Sequence, residues 1–122
     1  MNKREVGTQY EIRACEYMQK QGFRVLMRNF RCRQGEIDII GEHEGYLVFV
    51  EVKYRSAATS GDAAEAVTPS KQKKICRTAD YYRYTHGISE NSPIRYDVVA
   101  IQGEKEIRWY QNAFCHVYAG HR

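Results

Sequence analysis

The chain has no apolar run of the length that crosses a membrane, which takes about 20 consecutive apolar residues. Its first residues, Met1-Asn2-Lys3-Arg4-Glu5-Val6, lack the apolar stretch of a secretory signal, so a cytoplasmic location is the expectation. Cys15, Cys32, Cys76 and Cys115 form no CxxC pair, and the four histidines form neither HxH nor HExxH. A zinc site built from a local motif is therefore not expected. Scattered cysteines in a cytosolic chain read as reduced packing residues. Repeats and low-complexity tracts are missing too. Charge is nearly balanced, with 19 Lys and Arg against 15 Asp and Glu, a net +4. That surplus permits a polyanionic partner without demanding one. The ten tyrosines suit cores, interfaces and base stacking alike.

What is present is enough chain for one domain, residues 1–122, hiding roughly two thirds of its unfolded surface. The most informative stretch runs from Gly35 to Lys53. Gly-Glu-Ile-Asp-Ile-Ile-Gly and Tyr-Leu-Val-Phe-Val-Glu-Val-Lys flank the polar turn Glu42-His43-Glu44-Gly45, the pattern of a β-hairpin. With Glu44 and Gly45 at the tip, His43 faces Tyr46, Ile40 faces Phe49, and Asp38 faces Glu51. Val48, Val50 and Val52 then stripe one face, and Leu47, Phe49, Glu51 and Lys53 the other. A strand apolar on both faces belongs in the middle of a covered sheet. Asp38, Glu51 and Lys53 are out of place there, because strand interiors disfavour charge and burying it is costly unless it is paired or bound to a metal.

Around the hairpin, residues 4 to 20 read as a helix with Val6, Tyr10, Ala14, Tyr17 and Met18 in one stripe and Gly22 as its stop. Spacing alone leaves Glu11 at the edge of that stripe. Phe23–Arg33 reads as a strand ending in a basic loop of Arg28, Arg31 and Arg33. These arginines grip phosphates in one reading and guard a solvated edge strand in the other. Residues 54–61 read as a loop, and Asp62–Val67 as a helical turn. Thr68 and Pro69 cap a helix that runs to Thr85 and stops at Gly87. Its core stripe is Ile75, Ala79 and Tyr82. Lys71, Lys73 and Lys74 crowd its first half, against the macrodipole, which a phosphate ligand would relieve; a solvated helix face is the alternative. Ile94–Ile101 and Glu106–Tyr110 read as strands, Asn112–Phe114 as a docking segment, and His116–Arg122 as a fraying tail. The fold class is α/β, a mixed central sheet flanked by helices.

Asp38 with Glu51-Val52-Lys53 has chemical sense. Two carboxylates and the Val52 carbonyl make an oxygen site suited to Mg²⁺ or Mn²⁺. Lys53 stands where it can hold the attacking water or a charged transition state. The plainer reading is a cross-strand salt bridge, which leaves two facing carboxylates unexplained.

These residues resemble the PD-(D/E)xK nuclease superfamily. Gly35-Glu36-Ile37-Asp38-Ile39-Ile40, Phe49 to Arg55, Glu65-Ala66-Val67, Lys71, Arg95-Tyr96-Asp97-Val98-Val99 and Asn112-Ala113-Phe114 resemble, more closely, the YraN-like bacterial family. That family is described as predicted endonucleases distantly similar to archaeal Holliday junction resolvases. The resemblance implies a restriction-endonuclease-like αβββαβ core and a catalytic set of Glu11, Asp38, Glu51 and Lys53, with Ile37 in place of the signature proline. It also implies a Mg²⁺- or Mn²⁺-dependent endonuclease acting on branched or structured DNA, for which the basic residues read above, Arg28, Arg31, Arg33, Lys71, Lys73 and Lys74, are the candidate contacts to the nucleic acid. A resolvase would work as a homodimer, for which Tyr81, Tyr82, Tyr84, Trp109 and Tyr110 are candidate contacts. A nuclease for ordinary DNA or RNA and a non-catalytic nucleic-acid-binding protein are the alternatives.

Overall fold

Helix α1, Lys3–Gln19, ends where Gly22 takes φ 94°. Phe23 N–H closes onto the Met18 carbonyl and Gly22 N–H onto that of Gln19, a Schellman cap. The computed structural model describes residues 3–55, 67–104 and 106–119; the expected helical turn of Asp62–Val67 lies outside them except for its last residue. The strands are β1 (Arg24–Cys32), β2 (Gly35–His43), β3 (Tyr46–Arg55), β4 (Ile94–Gln102) and β5 (Glu106–Phe114), with α2 (Pro69–Thr85) between β3 and β4. They form one sheet in sequence order, antiparallel except for the parallel β3–β4 pair. The mixed sheet flanked by helices is thus the observed architecture, compatible with a restriction-endonuclease-like core. A parallel pair needs a crossover, and α2 provides it.

The hairpin tip is Glu44-Gly45, with φ 52° and 86°, as a two-residue primed turn requires. His43 pairs with Tyr46 and Ile40 with Phe49, the expected register. Thr68 Oγ1 accepts the Lys71 N–H, and Pro69 opens α2. At its other end Gly87 takes φ 65° and Ile88 N–H closes onto Arg83.

Two apolar layers cover the sheet. Ile37, Ile40, Leu47, Phe49, Tyr96 and Val98 pack under α2 with Ile75, Ala79 and Tyr82. Ile39, Val48, Val50, Val99 and Ile101 pack with Ala14, Met18 and Phe23 on the α1 side. A Cβ on Gly41 would sit 2.3 Å from the Phe23 ring and 2.4 Å from the Arg24 carbonyl, so only glycine lets β2 pass beneath α1's exit. Asp97, on the α1 face of β4, is fully buried and accepts four hydrogen bonds. Two come from Arg95, at 2.9 and 2.8 Å, and one each from Trp109 Nε1 (2.8 Å) and the Asn112 N–H (2.9 Å). Arg95 also donates to His43 Nδ1 at 2.9 Å. This network ties β4 to β5 and to the hairpin.

Four expectations need correction. Arg28 and Arg31 lie within β1 rather than in a loop, because pairing with β2 continues to Cys32↔Gly35. Tyr54 and Arg55 extend β3, held by β4. The tail is docked through Val117: its N–H reaches Cys76 Sγ, its carbonyl accepts from Arg77, and His116 bonds the Tyr96 hydroxyl. Trp109 faces inward, edge-on to Phe23, and Tyr110 packs on the α2-side core. Neither is a free contact for a second subunit. All four cysteines are free thiols.

Candidate active site at the open end of the β2–β3 hairpin

The β2–β3 ladder runs from the tip to Ile39↔Val50. Beyond that pair Asp38 does not face Glu51 as a regular cross-strand partner. Its Oδ2 instead accepts the Val52 N–H at 2.8 Å. The reason lies in β2 itself. Ile37 packs on the α2 side and Ile39 on the α1 side, so the period-two alternation breaks at Asp38. On β1, the pairs Arg28↔Ile39 and Phe30↔Ile37 flank Asn29, whose φ is 55°. Asn is one of the few non-glycine residues that visits this region readily.

The break turns the Asp38 carboxyl toward Glu51, whose charge is near enough to act on it. Burial first, and then the Glu51 charge, push Asp38 up to about 8; the Val52 N–H opposes the rise, and Glu11 adds to it. Glu51 itself is buried. Lys53 and Lys71 both stand 3.4 Å from its Oε2, one from its own strand and one from the first turn of α2. Val52 directs its N–H toward β2, and in a strand the carbonyl of the same residue points to the same edge. The expected Val52 carbonyl ligand therefore faces the gap that holds Asp38.

Glu11 arrives from α1. Burial raises its pKa, while a hydrogen bond from Asn29 and the Arg28 charge hold it down. Its Oε1 is buried with no hydrogen-bond partner. Gly7, Thr8, Glu11, Asn29, Arg31 and Glu36 line a cavity of about 390 Å³ beside it. Among the described residues no three His, Cys, Asp or Glu side chains converge as a preformed metal cage. The structure brings together Asp38, Glu51 and Lys53, sets Glu11 close enough to influence Asp38, and adds Lys71.

The remaining basic candidates divide. Arg31 is paired with Glu36 at 2.7 Å. Arg28 is exposed near Glu11, and Arg33, Lys73 and Lys74 are exposed. A Cβ on Gly35 would lie 3.1 Å from Thr78 Oγ1 and 3.9 Å from the Lys74 side chain, so the β1–β2 turn carrying Arg33 abuts the helix carrying the lysines. Sequence reasoning missed Asn29. A lone Asn within a strand of alternating arginines and apolar residues, opposite the aspartate of the adjoining strand, was the available signal.

The model of the uncharacterised protein family UPF0102 matches residues 10–101. A UPF0102 protein of Lachnoclostridium phytofermentans is 48% identical over 114 residues, covering 93% of this chain and 96% of its own. One from Nitrosococcus oceani is 44% identical, covering 91% and 92%. One from Vibrio vulnificus is 45% identical, covering 92% and 93%.

Proposed function

This chain belongs to the UPF0102 family, and we propose that it is a divalent-metal-dependent endonuclease of the PD-(D/E)xK type, acting on branched or structured DNA. One observation carries this reading: Asp38, held by the Val52 N–H, and the buried Glu51, held by Lys53 and Lys71, set two carboxyls in one enclosed site. A hard cation satisfies such a donor set better than a proton does. The unpartnered Oε1 of Glu11 beside it is a further oxygen without an internal use.

Asp38, Glu51 and the Val52 carbonyl are the groups that would hold Mg²⁺ or Mn²⁺. When bound, the ion would polarise a phosphoryl oxygen and lower the pKa of water. The rest of the chemistry belongs to the chain. The Asp38 carboxylate is itself positioned by the Val52 N–H, so its orientation is set by the β3 backbone. Lys53, fixed at Glu51, presents its ammonium to the attacking water and to the charge that builds on the phosphorane. Glu11 orders water through its free oxygen. Arg28, Arg33, Lys73 and Lys74 hold the strand by its phosphates. No helix among the described residues is long and apolar enough to cross a membrane, and the cytoplasm, where the nucleic acid is, is the location this function needs. Resolving a junction takes two symmetric cuts, and one domain carries one constellation, so a two-fold pair is part of the reading. Tyr81 and Tyr84, at 43% and 84% exposure, offer it a surface.

The test is cleavage of labelled junctions, flaps, duplexes, single strands and RNA with Mn²⁺. Junctions or flaps cut first support the proposal. Preference for plain duplex or RNA leaves an ordinary nuclease, and no cleavage of any substrate leaves a binding protein. Lys53→Ala should cut single-turnover cleavage about 100-fold and change Mn²⁺ affinity by no more than a few fold. Equal losses in both would make Lys53 a brace for Glu51. Neutralising Lys73 and Lys74 together should flatten the log–log salt dependence of duplex binding by roughly 0.9 per lost contact. An unchanged slope assigns both lysines to solvent.

A further inference from the structure

Lys71 occupies an unusual place. It is the third residue of α2, where its own N–H is capped by Thr68 Oγ1. The first turn of a helix favours anions and disfavours an ammonium, and α2 has no acidic residue there. What compensates is Glu51, whose Oε2 lies 3.4 Å from Lys71 Nζ. That oxygen already has a partner in Lys53 at the same distance. One carboxylate oxygen thus serves two lysines, and it belongs to a group proposed above to bind a cation.

The two lysines are not equivalent. Lys53 is on the same strand as Glu51, two residues on, and only 28% of its side chain is exposed. Lys71 comes from a different element, and 41% of its side chain is exposed, so it is free to turn outward. A divalent cation on Glu51 would repel both ammonium groups, and Lys71 is the one with somewhere to go. It then stands at a helix N-terminus with exposed Lys73 and Lys74 beside it, a setting suited to phosphate.

We propose that Lys71 is a positioning residue that exchanges partners: it holds Glu51 in the metal-free protein and, once a divalent cation takes that carboxylate, it turns to a phosphate of the nucleic acid. This rests on the metal-site reading above and adds a consequence. Metal and nucleic acid bind with positive coupling, and by linkage each raises the affinity of the other by the same factor.

The experiment compares wild type, Lys71→Met, Lys71→Arg and Lys74→Met. Mn²⁺ affinity is measured by titration calorimetry with and without a phosphorothioate four-way junction, at one pH and salt. Lys74 is one turn along the same helix, so Lys74→Met makes the same charge change and reports the general field. The expected result is that Lys71→Met binds Mn²⁺ alone roughly three- to fivefold more tightly, having lost a half-exposed competing pair. Its Mn²⁺–junction coupling should fall at least about fivefold. Lys71→Arg should restore most of the coupling, since a guanidinium pairs with carboxylate and phosphate alike; Lys74→Met, which loses a phosphate contact and so weakens junction binding with and without Mn²⁺ alike, should keep the ratio of the two Mn²⁺ affinities.

Equal tightening in Lys71→Met and Lys74→Met, or weaker Mn²⁺ binding in Lys71→Met, overturns the exchange. A wild type that binds Mn²⁺ and cuts DNA, with no selective effect of Lys71→Met, sinks the exchange alone. A wild type that binds no Mn²⁺ removes the metal site and the exchange together.

Discussion

Asp38→Asn is expected to lose metal-dependent cleavage by about 100-fold or more and, without metal, to be more stable than wild type at alkaline pH. The second half follows from linkage. Asp38 is raised to about 8 by burial and by Glu51, whereas in the unfolded chain it titrates near its ordinary value of about 3.9. Between those two values the folded protein binds more protons than the unfolded one, so stability falls as pH rises across the window and levels off above about 8. Asparagine keeps an oxygen for the Val52 N–H and has no proton to lose. The variant should therefore match wild type near pH 4 and exceed it near pH 8–9 by about 1–3 kcal/mol. That is less than the whole shift would give, because Lys53 and Lys71 already moderate the repulsion. Glu51→Gln should be equally inactive with a smaller alkaline gain, since it removes the charge that repels Asp38 but strands the two lysines that Glu51 holds. Thermal melts at pH 4, 6 and 8.5 with EDTA, beside single-turnover assays with Mn²⁺, check both. Full activity in either variant would remove the site, and no alkaline gain in Asp38→Asn would remove the account of a protonated Asp38.

The proton also bears on how far the site could be read in advance. The hairpin and its tip were legible because Gly45 supplies a positive φ and the β-branched residues of β3 alternate without interruption. The ends of α2 were legible because Thr68, Pro69 and Gly87 carry their meaning in their own covalent geometry. Asp38, Glu51 and Lys53 stood out because charge is misplaced in a central strand. The local arrangement was less accessible. Regular alternation sets Asp38 opposite Glu51, but the strand breaks at Asp38, where Asn29 on β1 takes its left-handed turn. That break depends on packing from α1 and α2 at once, which no pattern within β2 records. Lys71 illustrates the same limit. Its number in the chain places it with the other lysines of α2, and only the docking of that helix over β2, which brings Lys71 to Glu51, separates it from Lys73 and Lys74. Trp109 and Tyr110 looked like surface aromatics because β5 is an edge strand; the buried carboxylate that draws the indole inward belongs to another strand.

That carboxylate gives the largest expected effect on stability. Asp97→Ala should destabilise the protein by about 3–5 kcal/mol, the cost of leaving a buried charge unpaired. That is a large part of the 5–15 kcal/mol typical of a domain. Asp97 has 1% of its surface exposed and accepts four hydrogen bonds. Removing it strands the Arg95 guanidinium beside His43, a weaker partner, and leaves the Asn112 N–H and the Trp109 indole without their acceptor. It loosens β5, which among the described residues is an edge strand paired with β4 alone. Asp97 and Asp38 are therefore opposites although both are enclosed aspartates on this sheet. Asp97 has a guanidinium, an indole N–H and a backbone N–H as donors. Asp38 has one backbone donor and a second carboxyl, and gains from being neutral or bound to a cation. The double variant Arg95→Leu, Asp97→Leu should recover much of the loss, because replacing a buried pair with apolar groups leaves no charge unmatched. Urea unfolding of the wild type, Asp97→Ala and the double variant measures this directly. A stable Asp97→Ala that has lost cleavage would move Asp97 from the scaffold into the site.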